Sequence, residues 1–203
     1  MNISPAARLM ALIVGCLACA ALAAQFVVNY ATEGHFGAPV VLWRMARFFT
    51  ILTNGMVVVI FLRAAVSGRS PGPALAGGVA LWIGVTGLVY YGLLYRETNG
   101  LATWADLGLH GVVPVSVVVW WAVFSDKTGL AMRSALLWLI WPLAYVVYAL
   151  VRGGFDGQYP YFFTDPIKVG WDGVALWSLA LCVGFFVAGL GLIALGRVMG
   201  PRA

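Results

Sequence analysis

Apolar residues run along this chain in six long stretches separated by short polar intervals: residues 9–30, 43–66, 73–95, 104–124, 131–151 and 171–198. Each reaches about 20 residues or more, the length a helix needs to cross a bilayer. Charged residues gather at the ends of the stretches and leave their centres clean. The intervals carry turn chemistry, as in Ser67-Gly-Arg-Ser-Pro-Gly-Pro73 and Arg152-Gly-Gly-Phe-Asp-Gly157. No strand-like alternation competes with this pattern. It predicts an all-α polytopic membrane protein, a single domain over residues 1–203 formed by a bundle of six transmembrane helices.

Details inside the stretches refine that picture. Pro142 is expected to kink the fifth helix and Pro114 the fourth, because each removes a backbone donor. Gly77, Gly78, Gly84 and Gly87 in the third helix, and Gly184, Gly189, Gly191 and Gly196 in the sixth, are expected to allow close helix packing. At the N-terminus, Arg8 and Ala21-Leu-Ala23 resemble a signal peptide with its cleavage site. The apolar run continues to Tyr30, however, so a retained first helix is expected.

Composition excludes a water-soluble alternative. Of 203 residues, 63% are hydrophobic and 9% charged, against about 25% charged in a soluble domain. The net charge of +5 is spread over the loops, where basic residues act as topology signals. With the N-terminus inside, Arg8, Arg63, Arg69, Lys127, Arg133, Arg197 and Arg202 lie inside; Arg44, Arg47, Arg96, Arg152 and Lys168 lie outside. That excess places both termini in the cytoplasm. No basic run is interleaved with aromatics, which excludes nucleic acid as a partner. Cys16, Cys19 and Cys182 sit in apolar runs and suggest neither a disulfide framework nor a zinc site.

Polar side chains within the stretches are candidates for chemistry. Arg47, Thr50 and Asn54 are spaced i, i+3, i+7 and share a face of the second helix; Asp106 and His110, spaced i, i+4, share a face of the fourth. Counted from Trp43 and Trp104, Thr50 and His110 lie at similar depth, roughly 10 Å along helices that run in the same direction. A hydroxyl activated by an imidazole is the chemistry of nucleophilic catalysis. In such a site Asn54 would donate to an oxyanion, Arg47 would hold a substrate carboxylate, and Asp106 would orient His110. Structural roles compete at each position. Threonine bonds back to its own helix, and Arg44 and Arg47 snorkel to the interface. Thr103-Trp-Ala-Asp106 fits a capping box, the favoured role for Asp106. The histidines, His35 and His110, are too few for a multi-histidine metal site, and no cofactor is implied.

Several short motifs together resemble one family. Arg47-Phe-Phe-Thr50 with Asn54, His110-x-x-x-Pro114, Trp141-Pro142, Tyr145-x-x-Tyr148 and Gln158-Tyr-Pro-Tyr-Phe-Phe-Thr-Asp165 occur in order. They resemble the androgen-induced-gene and androgen-dependent TFPI-regulating membrane proteins and their bacterial six-helix relatives. The resemblance implies an intramembrane threonine hydrolase that cleaves lipid esters such as fatty acid esters of hydroxy fatty acids. It places the nucleophile at Thr50, with Thr53 as the alternative, and the base at His110. It also implies residence in a bacterial plasma membrane. Tyr90, Tyr91, Tyr145, Tyr148, Tyr159 and Tyr161 would line an acyl-chain pocket or, equally, form an interfacial aromatic belt. Expected partners are membrane lipids and the lipid ester substrate, with oligomeric state open. A non-catalytic lipid- or partner-binding membrane protein is the alternative, and a small transporter fits the clean helix centres poorly.

Overall fold

The computed structural model describes residues 2–200, so Arg202, counted above toward orientation, lies outside the described residues. The protein is 83% helical with no strand among the described residues, which establishes the all-α class. Six helical segments are long and apolar enough to span a membrane: Pro5–Phe36, Phe49–Ser67, Pro73–Leu94, Leu101–Phe124, Met132–Asp156 and Pro166–Val198. Their outward positions carry large exposed apolar side chains, among them Val59, Leu88, Val115, Val147 and Leu176. Such a surface suits lipid rather than water.

The chain divides into two compact units. The first runs through Gly129 and also takes in Met199; the second is Leu130–Val198. In the first, α1 (Pro5–Glu33) begins at Ser4, whose side chain accepts from the Ala7 N–H at 3.2 Å, with Pro5 in the first turn. This is a standard N-terminal cap. The buried stripe of α1, Ala7, Ala11, Val14, Ala18 and Ala21, repeats at intervals of four and three. Small side chains at that spacing let α1 lie close along α3 (Phe49–Ser67). Two further spans complete the unit's scaffold. α4 (Pro73–Val89) continues into a π turn at Tyr90–Leu94, and α5 (Leu101–Leu107) passes through a second π turn, Gly108–Val112, into α6 (Val113–Phe124).

Several span boundaries shift by a few residues from the sequence expectation, and the shift at the second span changes the site. The second stretch does not begin at Trp43. Residues Ala38–Met45 form a separate short helix, α2, and the chain turns through Ala46–Phe48 before α3 starts at Phe49. Arg47 therefore lies ahead of α3 and does not share its face with Thr50 and Asn54. It does not snorkel either: it is buried and engaged within the protein. Arg44 pairs with Glu33 at 3.1 Å and lies over the Phe36 ring. Lys127, expected as a loop charge, is buried and donates to the carbonyls of Trp121, Ala122 and Ser125 at 3.1, 3.2 and 2.7 Å, capping α6.

Both prolines disturb the regular helical ladder, each in a specific form. Pro114 cannot donate to the His110 carbonyl, and the ladder there widens to a π turn in which the Val113 N–H reaches Gly108 O. In the second unit, α7 (Met132–Trp138) stops at Leu139 and α8 (Ile140–Asp156) begins beyond it, because Pro142 leaves the Trp138 carbonyl without its helical donor. The last helix, α9 (Pro166–Val198), is broken at Gly170, where φ is 69°. The glycine expectation holds only in part. Gly77, Gly78 and Gly87 are buried, whereas a side chain at Gly184 or Gly191 would meet nothing within 4 Å.

Candidate active site

Thr50 and His110 meet. The Thr50 Oγ1 lies 3.3 Å from His110 Nε2. Thr50 occupies the first turn of α3, and His110 sits in the π turn between α5 and α6. The equal-depth argument counted Thr50 from Trp43 along one continuous helix, which the break at Ala46–Phe48 invalidates. Thr50 is the second residue of the span Phe49–Ser67 and His110 the tenth of Leu101–Phe124, so the two side chains meet at different distances from the starts of their spans. Thr50 and His110 are both largely shielded, with His110 10% exposed at its side chain. Thr53, one turn further along α3, is fully buried and has a partner of its own.

The other imidazole nitrogen fixes the tautomer. His110 Nδ1 lies 3.1 Å from the backbone carbonyl of Asp106. A carbonyl only accepts, so Nδ1 carries the proton and Nε2 presents its lone pair to the Thr50 hydroxyl. The Asp106 carboxylate stands further off, with Oδ1 3.8 Å from Nδ1. Orientation of His110 therefore comes from the main chain of Asp106, with its side chain as an outer charge. This revises the triad-like row expected from sequence. The capping box fails as well. α5 starts at Leu101 after Gly100, and the Thr103 hydroxyl donates to Thr98 O at 2.6 Å, leaving Asp106 near the helix end.

Asn54 has a different role from the one its position suggested. Its Nδ2 donates to Thr50 O at 2.9 Å and to Leu109 O at 3.3 Å. Both amide protons are then spent and none remains for an oxyanion. Exchanging oxygen and nitrogen would set the amide oxygen against two carbonyls, so the orientation is fixed by its neighbours. Asn54, fully buried, thus ties the turn bearing the hydroxyl to the residue next to His110.

Tyr90 and Gly87, both from the third span, hold the imidazole from the other side. The Tyr90 ring stacks on His110 with centroids 3.7 Å apart and planes inclined by 10°. Tyr90 is thus a plate under the base rather than part of an acyl-chain wall; Tyr91 is half exposed. At Gly87 a β-carbon would lie 2.6 Å from the His110 carbonyl oxygen. Only glycine permits that approach. Nothing in the sequence pattern pointed to Gly87 beyond its membership in a small-residue stripe. Tyr145, Tyr148, Tyr159 and Tyr161 belong to the second unit. There Tyr161 stacks on Phe163, Tyr159 fills the space beside Gly153, and Tyr148 accepts a 2.7 Å hydrogen bond from Arg152. Asp165, which ends the motif-bearing loop, caps α9 by accepting from the Ile167 N–H at 3.0 Å.

No family model, curated protein or solved structure matches this chain. The site must therefore be interpreted from its own geometry.

Proposed function

We propose that the protein is an intramembrane hydrolase of lipid esters, with Thr50 as nucleophile and His110 as general base and then general acid. The observation that carries this reading is the 3.3 Å approach of Thr50 Oγ1 to an imidazole nitrogen whose lone pair is directed to it by the opposite nitrogen's bond. That separation is at the long end for a hydrogen bond, as is common before substrate tightens a site.

The steps follow from these positions. Thr50 Oγ1 attacks the ester carbonyl carbon while its proton passes to His110 Nε2. The negative charge that develops on the former carbonyl oxygen needs donors. The backbone N–H groups of Thr50 and Ile51 fill this role, because first-turn amides have no acceptor within the helix and no side chain caps α3. His110 next returns its proton to the departing alkoxide, and the alcohol leaves an acyl-threonine. A water then attacks that acyl carbon, giving a proton to Nε2. Collapse releases the carboxylic acid and restores the Thr50 hydroxyl. Asn54 Oδ1, buried with no hydrogen-bond partner among the described residues, is an acceptor that a water or a substrate hydroxyl would satisfy.

The resemblance to threonine hydrolases of fatty acid esters of hydroxy fatty acids agrees with this assignment and points to long-chain esters. Residence in a bacterial plasma membrane with both termini cytoplasmic completes the proposal. It rests on the loop arginines and lysines and on the resemblance to bacterial six-helix proteins.

Covalent labelling tests the nucleophile directly. A fluorophosphonate probe is expected to modify Thr50 of the purified protein and to fail when His110 is replaced. Lipid co-purifying with a protein that the probe leaves unmodified would favour a binding protein instead. A second expectation separates the two parts of Asp106. Asp106→Asn keeps the backbone carbonyl that sets the tautomer, so hydrolysis should fall by no more than about tenfold. A carboxylate that itself sets the tautomer costs about 10⁴-fold when replaced. Steady-state kinetics on a long-chain ester distinguishes these outcomes.

A further inference from the structure

At the other end of the first unit, α1 and α4 begin and α3 finishes. The Ile3 N–H donates to Gly68 O at 2.9 Å, and Asn2 pairs with Arg69 as an isolated bridge. Arg8 directs its guanidinium to the Ala65 carbonyl and, at 3.1 Å, to that of Val66. The C-terminus of α3 is thereby supplied with a cation on that flank. On its other flank opens a cavity of about 510 Å³ whose wall includes Ile60, Arg63, Ser67, Arg69, Ser70 and Leu75.

No carboxylate lines this cavity, and the side chains of Arg63 and Arg69 have no partner among the described residues. Two guanidinium groups on one wall, unopposed by an acid, create a site that favours an anion. Their planar forks match the paired oxygens of a phosphate, and the Ser70 hydroxyl, which accepts from the Gly72 N–H, keeps its proton as a neutral donor. The remaining wall is apolar, and Ile60 and Leu75 belong to the spans Phe49–Ser67 and Pro73–Leu94. A soluble phosphate gains nothing from that apolar side, whereas acyl chains would lie along it. We propose that this cavity binds the headgroup of an anionic phospholipid, with Arg63 and Arg69 on the phosphate and the chains descending beside Ile60 and Leu75. Basic pockets between helices at a membrane surface recognise such headgroups. The site stands roughly 20 Å from Thr50 along α3, and it does not rest on the hydrolase assignment.

Native mass spectrometry of the full chain in detergent tests the proposal, with phosphatidylglycerol, phosphatidylcholine and inorganic phosphate as probes. Phosphatidylglycerol is expected to bind in preference to phosphatidylcholine. Its affinity should fall about fivefold for Arg63→Gln or Arg69→Gln and about 30-fold for the double substitution. Arg197→Gln, an exposed arginine elsewhere, should leave it unchanged. Ser67→Asp, which places a carboxylate on the cavity wall, should weaken binding as well and serves if the double variant does not fold. Unchanged affinity in these variants, or equal binding of phosphatidylcholine, would overturn the proposal. Displacement of the lipid by inorganic phosphate at comparable concentration would assign the cavity to a soluble anion and overturn the lipid.

Discussion

Replacing Thr50 or His110 with alanine is expected to lower hydrolysis of a long-chain ester by about 10³-fold or more, with the double substitution no worse than either single one. The physical basis is that the two groups act as one device. Without His110 the Thr50 hydroxyl keeps its proton and is a weak nucleophile; without Thr50 the imidazole has no hydroxyl to activate. Non-additivity is therefore the sharper signature, since two independent structural contributions would add. Thr50→Ser retains an oxygen at the same position and should keep measurable activity. Thr50 loses only a small side chain on truncation, so its unfolding temperature should stay close to that of the parent protein. His110→Ala removes the ring beneath Tyr90 and calls for the same control. Hydrolysis undiminished in both single variants would reject the assignment, and loss only in proportion to unfolded protein would reduce it to a packing effect.

How much of this was legible in the sequence depends on what each feature rests on. The six spans are long and apolar, and hydropathy reports such runs directly. The turn at Ala46–Phe48 is hidden because neither glycine nor proline marks it, and Arg44 and Arg47 read equally well as the charged end of one longer helix. Pro114 announced a disturbance in the fourth span, but sequence alone does not say that it becomes a π turn carrying His110. Thr50 and His110 were legible as polar groups within spans that run in the same direction, and the structure brings that pair together. The supporting roles were not. Whether Asn54 faces an oxyanion or two carbonyls depends on Leu109, 55 positions away along the chain. Whether Asp106 acts through its carboxylate or its main chain is decided by a single carbonyl at 3.1 Å. These are contacts between elements, and helical spacing within one element carries no information about them.

Gly87 follows from the same reasoning and yields the second large effect. The His110 carbonyl lost its helical donor to Pro114 and turns toward α4, where Gly87 leaves room for it. Gly87→Ala would place a β-carbon 2.6 Å from that oxygen, and the contact is with backbone, which has no rotamer to change. Either α4 or the π turn must shift. Overpacking of this kind costs about 1–3 kcal/mol, whereas the helix propensity of alanine over glycine returns at most about 1 kcal/mol. A lower unfolding temperature is therefore expected. The larger consequence is geometric: a shift near 1 Å in the π turn lengthens an approach to Thr50 that is already 3.3 Å. A misplacement of that size costs about 10²-fold in rate. Gly84→Ala is the matched control, because its nearest neighbour is the flexible end of Val118 at 3.5 Å, an ordinary contact. If Gly87→Ala and Gly84→Ala show equal activity per folded molecule, the close approach of α4 to the π turn does not set the position of His110. If Gly87→Ala alone loses activity while both remain folded, the small-residue stripe of the third span has a defined purpose: one of its glycines places the catalytic base.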